Sequence, residues 1–241
     1  MTEVKACGEK IDSFLNLDSK KHDLEIIKLT KPLERVGDDL QDFRILSFDL
    51  EVRNPHGMPN SEVDEIIMIG VASNFGINQV ISTKTNSEDR DDFVNQVASE
   101  KEMIETFIDI VKKSNVDIIV GYNSDNFDFP YLKDRAKIHG IDLDLGMDDS
   151  NIKFIRRGFA NAASFKGLIH VDLYLVMRRY MTLERYTLER VYYELFGEEK
   201  VDVPGEHIWV YWDSDSTQLD DLFAVSYTHL RAHETTLHIV C

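Results

Sequence analysis

The sequence predicts a mixed α/β fold: a five-stranded sheet flanked by helices, preceded by a short N-terminal remnant. Two observations lead there. The strand-like runs at 44–52 (RILSFDLEV) and 65–75 (EIIMIGVASNF) come first, separated by the turn-forming Asn54, Pro55, Gly57 and Pro59. Apolar runs then alternate with segments of helical period, the order expected of an α/β sheet.

The first two runs read as antiparallel neighbours, and 77–82 (INQVIS), following Gly76, reads as the third strand of a meander. Ser99 with Glu102 three residues later makes a capping box, after which Met103, Ile104, Phe107, Ile108 and Val111 recur at helical spacing up to Lys112 and Lys113. The almost wholly apolar DIIVG at 117–121 fits a buried strand after a crossover helix. Phe129, Leu132 and Ala136 predict a second helix closed by Gly140. A strand at 167–173 (GLIHVDL) and a helix carrying Leu188, Val191, Tyr192 and Leu195, ending at Gly197, complete the series. Residues 1–40 are polar and weakly periodic, and read as an appendage or the remnant of another domain.

Composition narrows the function. The chain has 241 residues with 44 Asp+Glu against 27 Lys+Arg, a formal charge of −17 that argues against a generic basic nucleic-acid binder. Eight basic residues against three acidic ones nevertheless give 151–190 a local net of +5, a stretch suited to a polyanion or to a plain solvated face. The longest apolar run, 66–72, is far short of the roughly 20 residues that span a bilayer. The N-terminus has no apolar core of a signal peptide, so the expected location is cytoplasmic. Cys7 and Cys241 stand at opposite ends and support neither a disulfide framework nor a thiolate metal site. Any metal would be held by oxygen ligands or His.

Two constellations bear chemistry. Asp49 and Glu51 follow Ile45, Leu46 and Phe48 in one strand. Residues i and i+2 of a strand share a face, so two carboxylates converge there, a costly arrangement that a divalent cation relieves. The other DLE tripeptide, at 23–25, lies among lysines and reads as surface charge. The second constellation is 121–132 (GYNSDNFDFPYL), where a strand delivers a short turn and Asp128 at a helix start. Asp just before a helix with Pro in its first turn also suits a plain N-cap. If the 117–121 strand lies beside the 44–52 strand, Asp128 joins Asp49 and Glu51 around one or two hard cations.

RILSFDLEV, GYNSDNFDFPYL, GLIHVDLYLVMRRY, YTLERVYYELFGEE and DVPGEHIWVYW together resemble the 3′-to-5′ exonuclease domain of archaeal-type family B DNA polymerases, over about 41–224. The resemblance implies a ribonuclease H-like fold and two divalent metal ions, Mg²⁺ or Mn²⁺. These would serve hydrolysis of the terminal phosphodiester of a single-stranded DNA 3′ end. By motif position, Asp49, Glu51 and Asp128 become the catalytic metal ligands, and Asn123 and Phe127 become substrate-binding residues. For the longer polymerase it implies primer-template DNA, dNTPs and a sliding clamp as partners, with no membrane.

The pattern breaks at one place. The family's third exonuclease motif pairs a Tyr with an Asp four residues on, shortly after a stretch like LDDLFA. Here LDDLFA is 219–224, and Val225 and His229 occupy the two positions. The string VSYTHLRAHET resembles a reading frame of a sequencing adapter, so 225–241 is expected to be a non-native tail. Its His229, His233 and His238 are accordingly not read as a metal site. The expectation is a polymerase fragment impaired in excision. A stand-alone ribonuclease H-like nuclease would explain the carboxylates but not the YTLERVYYELFGEE match. A non-catalytic nucleic-acid-binding module would explain the basic stretch but not the pairing of Asp49 with Glu51.

Overall fold

The computed structural model describes residues 3–15, 17–21, 25–37, 43–85, 93–157, 160–197, 203–214 and 218–226. Near the N-terminus, three antiparallel pairs form: β1 (Glu3–Lys5) with β6 (Glu34–Gly37), β2 (Gly8–Ile11) with β5 (Ile26–Leu29), and β3 (Ser13–Phe14) with β4 (Leu17–Asp18). The polar segment is thus a set of two-stranded ladders. Phe14, Leu15 and Leu29 are exposed on it.

The central sheet has six strands: β7 (Ile45–Val52), β8 (Ile66–Ser73), β9 (Asn78–Ser82), β10 (Val94–Gln96), β11 (Ile118–Gly121) and β14 (Ile169–Asp172), in the order β10-β9-β8-β7-β11-β14. The meander β7–β8–β9 is antiparallel, and β11 runs parallel to β7 on one side and to β14 on the other. The expected five strands are therefore one short. The addition is β10, whose Val-Asn-Gln pairs in parallel with β9 at the sheet edge. Three residues, two of them polar, carry no readable strand period. Another hairpin, β12 (Lys153–Arg157) with β13 (Ala160–Ser164), stands apart from the sheet.

Helices cover both faces. On one, α1 (Glu100–Lys113) and α2 (Asp128–Ile138) pack over Leu46, Phe48, Leu50 and Ile119. Phe48 is the keystone, its ring centroid 5.2 Å from that of Phe107 and 4.7 Å from that of Phe129. Ser99 caps α1 as expected, its Oγ accepting from Glu102 N at 3.2 Å, while the Glu102 carboxylate returns one residue before the cap, accepting from Ala98 N at 2.7 Å. On the other face, α3 (Leu173–Tyr180) and α4 (Leu188–Phe196) bury Leu173, Met177 and Val191 against Ile118 and Val120. Further along that face, α5 (Ile208–Asp213) and a last helix over 218–226 bring Trp212, Leu222 and Phe223 onto Ile67 and Val80. That last helix includes the buried Val225 and Ser226, whereas His229, His233 and His238 lie outside the described residues. No helix among the described residues is long and apolar enough to cross a membrane.

Candidate active site

Alternation along β7 sets the first part of the site. Leu46, Phe48, Leu50 and Val52 enter the α1/α2 core. The odd positions Ser47, Asp49 and Glu51 then face the opposite side, where α4 begins. Parallel pairing aligns Ile118 with Ile45 and Val120 with Ser47, so the chain leaves β11 at Gly121 next to the Asp49 end of β7. The turn that follows is tight. A Cβ on Gly121 would sit 2.6 Å from the Ser124 side chain, so glycine is required by the close approach. Asn123 adopts φ +61°, the left-handed conformation that Asn tolerates.

Asp128 is the first residue of α2 and is buried. It is no N-cap. Phe127 holds that position with no side-chain cap, and the Asp128 carboxylate turns to β7, where Oδ1 accepts from Leu50 N at 3.3 Å. Burial, reinforced by the charge of Asp49, pushes the Asp128 carboxyl well above its ordinary value.

Asp49, Leu50, Glu51, Tyr122, Asn123, Phe127, Asp128, Leu188 and Glu189 line one cavity of about 220 Å³. All five side chains singled out in the sequence meet there. A neighbouring cavity of about 540 Å³ shares Leu50, Glu51 and Phe127 and is walled by Val52, Met58, Pro59 and Ile208. Among the described residues, no group of three His, Cys, Asp or Glu side chains is arranged to hold an ion. The feature that suits a cation is instead the close pair, Asp128 beside Asp49, whose mutual repulsion in a desolvated place a divalent ion would cancel. Removing one of the two charges should show this. Asp128→Asn is expected to stabilise the metal-free chain at neutral pH by about 1 kcal/mol in urea titration and to shrink the thermal shift that Mn²⁺ produces.

Three contributors were not read from the sequence. Tyr122 walls the cavity while its hydroxyl donates to Tyr186 O at 2.6 Å, and burial raises its pKa. Glu189 enters from the first turn of α4, within a stretch read as a helix and as part of the YTLERVYYELFGEE match but not for a site residue. Asp172 supports the turn from beneath. Its carboxylate caps α3 by accepting from Tyr174 N at 3.0 Å, and it also accepts from Asn123 N at 2.8 Å and Asp125 N at 3.1 Å. An Asp between an apolar run and a helical period was its only signal. Parts of the basic stretch are engaged internally: Lys166 pairs with Asp148, Arg190 with Glu194, and Arg178 lies over the rings of Tyr174 and Tyr186.

Comparison with known proteins shows the family. The family described as DNA polymerase family B, exonuclease domain, matches residues 11–191. The DNA polymerase of Methanocaldococcus jannaschii is 39% identical over 213 residues, covering 86% of this chain and 13% of that protein. The DNA polymerase of Thermococcus kodakarensis is 40% identical over 183 residues, 76% of this chain and 10% of that protein. The family B DNA polymerase structure from Pyrobaculum calidifontis superposes with a TM-score of 0.75 at 26% identity, over 98% of this chain and 28% of that one. The chain thus spans a small part of the length of the relatives it matches. With the family match extending over most of the central sheet and its cavity, the chain belongs to the family B DNA polymerases, through their exonuclease domain.

Proposed function

We propose that this chain carries the 3′-to-5′ proofreading exonuclease centre of a DNA polymerase, hydrolysing the terminal phosphodiester of a single-stranded 3′ end. The observation that supports this most is the single cavity holding Asp49, Glu51, Asn123, Phe127 and Asp128. When bound, two Mg²⁺ or Mn²⁺ ions would supply an activated water and stabilisation of the leaving 3′ oxygen. Asp49, which lines the same cavity as Glu51 and Asp128 and whose charge acts on Asp128, would hold the metals together with Asp128. Burial and the Asp49 charge push the Asp128 carboxyl up, and a bound cation would offset both, which couples its ionisation to metal binding. Glu51, on the same strand face, accepts a hydrogen bond from the attacking water and orients it. The Asn123 amide meets the sugar–phosphate. Phe127, half-buried at the seam of the two cavities, gives an unstacked base an apolar wall.

In the longer polymerase the same centre would edit primer-template DNA made from dNTPs, with a sliding clamp as partner, in the cytoplasm. In the 241-residue chain, Val225 and His229 replace the third motif's Tyr and Asp. This chain is therefore expected to shorten 5′-labelled single-stranded DNA weakly or not at all in Mg²⁺ and to incorporate no nucleotide. Robust 3′ degradation by it would contradict that part of the reading. The reading as a whole is tested in a polymerase carrying residues 41–224, where removal of 3′-terminal nucleotides should depend on Asp49.

A further inference from the structure

We infer that His170 is a positioning residue of this site, holding the 121–127 turn from β14 so that Asn123 and Asp128 face β7; the inference rests on the excision reading above. The His170 side chain is 4% exposed, with Nδ1 3.3 Å from Asp125 Oδ1 and Nε2 2.9 Å from Ser124 Oγ. The ring thus meets a carboxylate through Nδ1 and a hydroxyl through Nε2. The order Ser-His-Asp is that of a nucleophilic triad. It cannot act as one: Ser124 is 0% exposed, and Asp125 Oδ1 is also engaged by Ala163 N at 2.6 Å. The three side chains are a brace.

What the brace holds follows from the backbone. His170 grips Ser124 and Asp125, while Asp172, two residues along the same strand, accepts from Asn123 N and Asp125 N. Three consecutive turn residues are thereby clamped to β14. Helix α2 hangs from that clamp, because Phe127 N donates to Asn123 O at 3.0 Å and Phe129 N to Ser124 O at 3.0 Å. Asp128 lies between those two amides, and its 3.3 Å contact with Leu50 N is longer than either of their bonds. Phe129 and Phe165 meet the imidazole edge-on, with centroids 4.8 and 6.1 Å away, and fix the ring plane. A slack turn would therefore be felt first where Asp128 meets β7. Partners that orient metal ligands from behind are worth about 10- to 100-fold in metal affinity.

The test uses the 241-residue chain, with Mn²⁺ alone as probe. His170→Leu, Ser124→Ala and His170→Gln are compared with the parent by paramagnetic-resonance titration of Mn²⁺ and by amide hydrogen exchange. For His170→Leu the expected result is an Mn²⁺ dissociation constant raised about tenfold or more, with faster exchange at Leu50, Asn123 and Phe129 and unchanged exchange in β8 and β9. Ser124→Ala, which deletes one arm and little volume, should show the same pattern reduced in size. His170→Gln, able to keep a bond to Ser124, should recover part of the loss. Unchanged affinity in both His170→Leu and Ser124→Ala, or exchange accelerated uniformly over the sheet, overturns the positioning role. A parent chain whose Mn²⁺ binding is absent, or indifferent to Asp49→Asn, contradicts the excision reading itself and the positioning role with it.

Discussion

Replacing Arg135 by Met should cost about 3–5 kcal/mol of folding free energy in urea denaturation, because it strands a buried carboxylate. Glu100, at the start of α1, is 7% exposed and accepts from Arg135 Nε at 2.7 Å, from Arg135 Nη2 at 2.5 Å and from Ile66 N at 2.8 Å, with His139 Nε2 also 2.7 Å away. The cluster ties α1, α2 and the entry to β8 together behind the site. Burial alone would raise the Glu100 carboxyl, but the bonds from Arg135, His139 and the Ile66 amide outweigh it and hold the carboxyl below its ordinary value of 4.5. A lowered folded value means that its stability contribution is present above 4.5 and is lost as pH falls through the lowered value. Glu100→Gln should flatten that acid limb. Replacing Glu100 and Arg135 together by apolar residues should cost less than the sum of the single changes, since neither charge is then left alone.

Asp49→Ala in the full-length polymerase is expected to lower 3′ excision on the order of 10²–10³-fold or more, while nucleotide incorporation stays at the parental rate. The size follows from placement. Asp49 is the half-buried carboxylate on β7 whose charge bears directly on the buried Asp128. On the proposed reading its removal would take away a metal ligand, yet it leaves the Leu46–Phe48–Leu50 face of the same strand intact. A structural role for Asp49 would instead reduce both activities through loss of folded protein. Excision at the parental rate would remove Asp49 from the mechanism.

The legible parts of the fold are those where one period dominates. In β7 apolar and polar residues alternate from Leu46 to Val52, α1 carries a cap signal and a 3.6-residue stripe, and the helix between β7's sheet and β11 makes parallel adjacency the natural outcome. These sufficed to bring Asp49 and Asp128 towards one end of adjacent strands. Asp128 itself was ambiguous, since the letters around it serve a cap or a ligand equally. The ambiguity resolves in space, where its carboxylate reaches Leu50 N and Phe127 occupies the cap position. β10 was illegible because a three-residue edge strand draws its stability from pairing with β9 rather than from its own pattern. His170 and Asp172 were read as members of a strand. Both also contact a turn 45 or more residues away in sequence, which no local period encodes. The +5 of 151–190 overstated the free charge, because Lys166 and Arg190 find carboxylates of their own.

The most direct test of the central claim, that the carboxylates of β7 and α2 form one divalent-cation site, is selective broadening of amide resonances in the 241-residue chain on addition of substoichiometric Mn²⁺. Broadening is expected to be confined to the neighbourhood of Asp49, Glu51, Asn123 and Asp128 and to be abolished by Asp49→Asn. Broadening that instead centres on residues 141–150, where Asp142 lies and Asp144 and Asp149 pair with Lys112, or that survives Asp49→Asn unchanged, would contradict it.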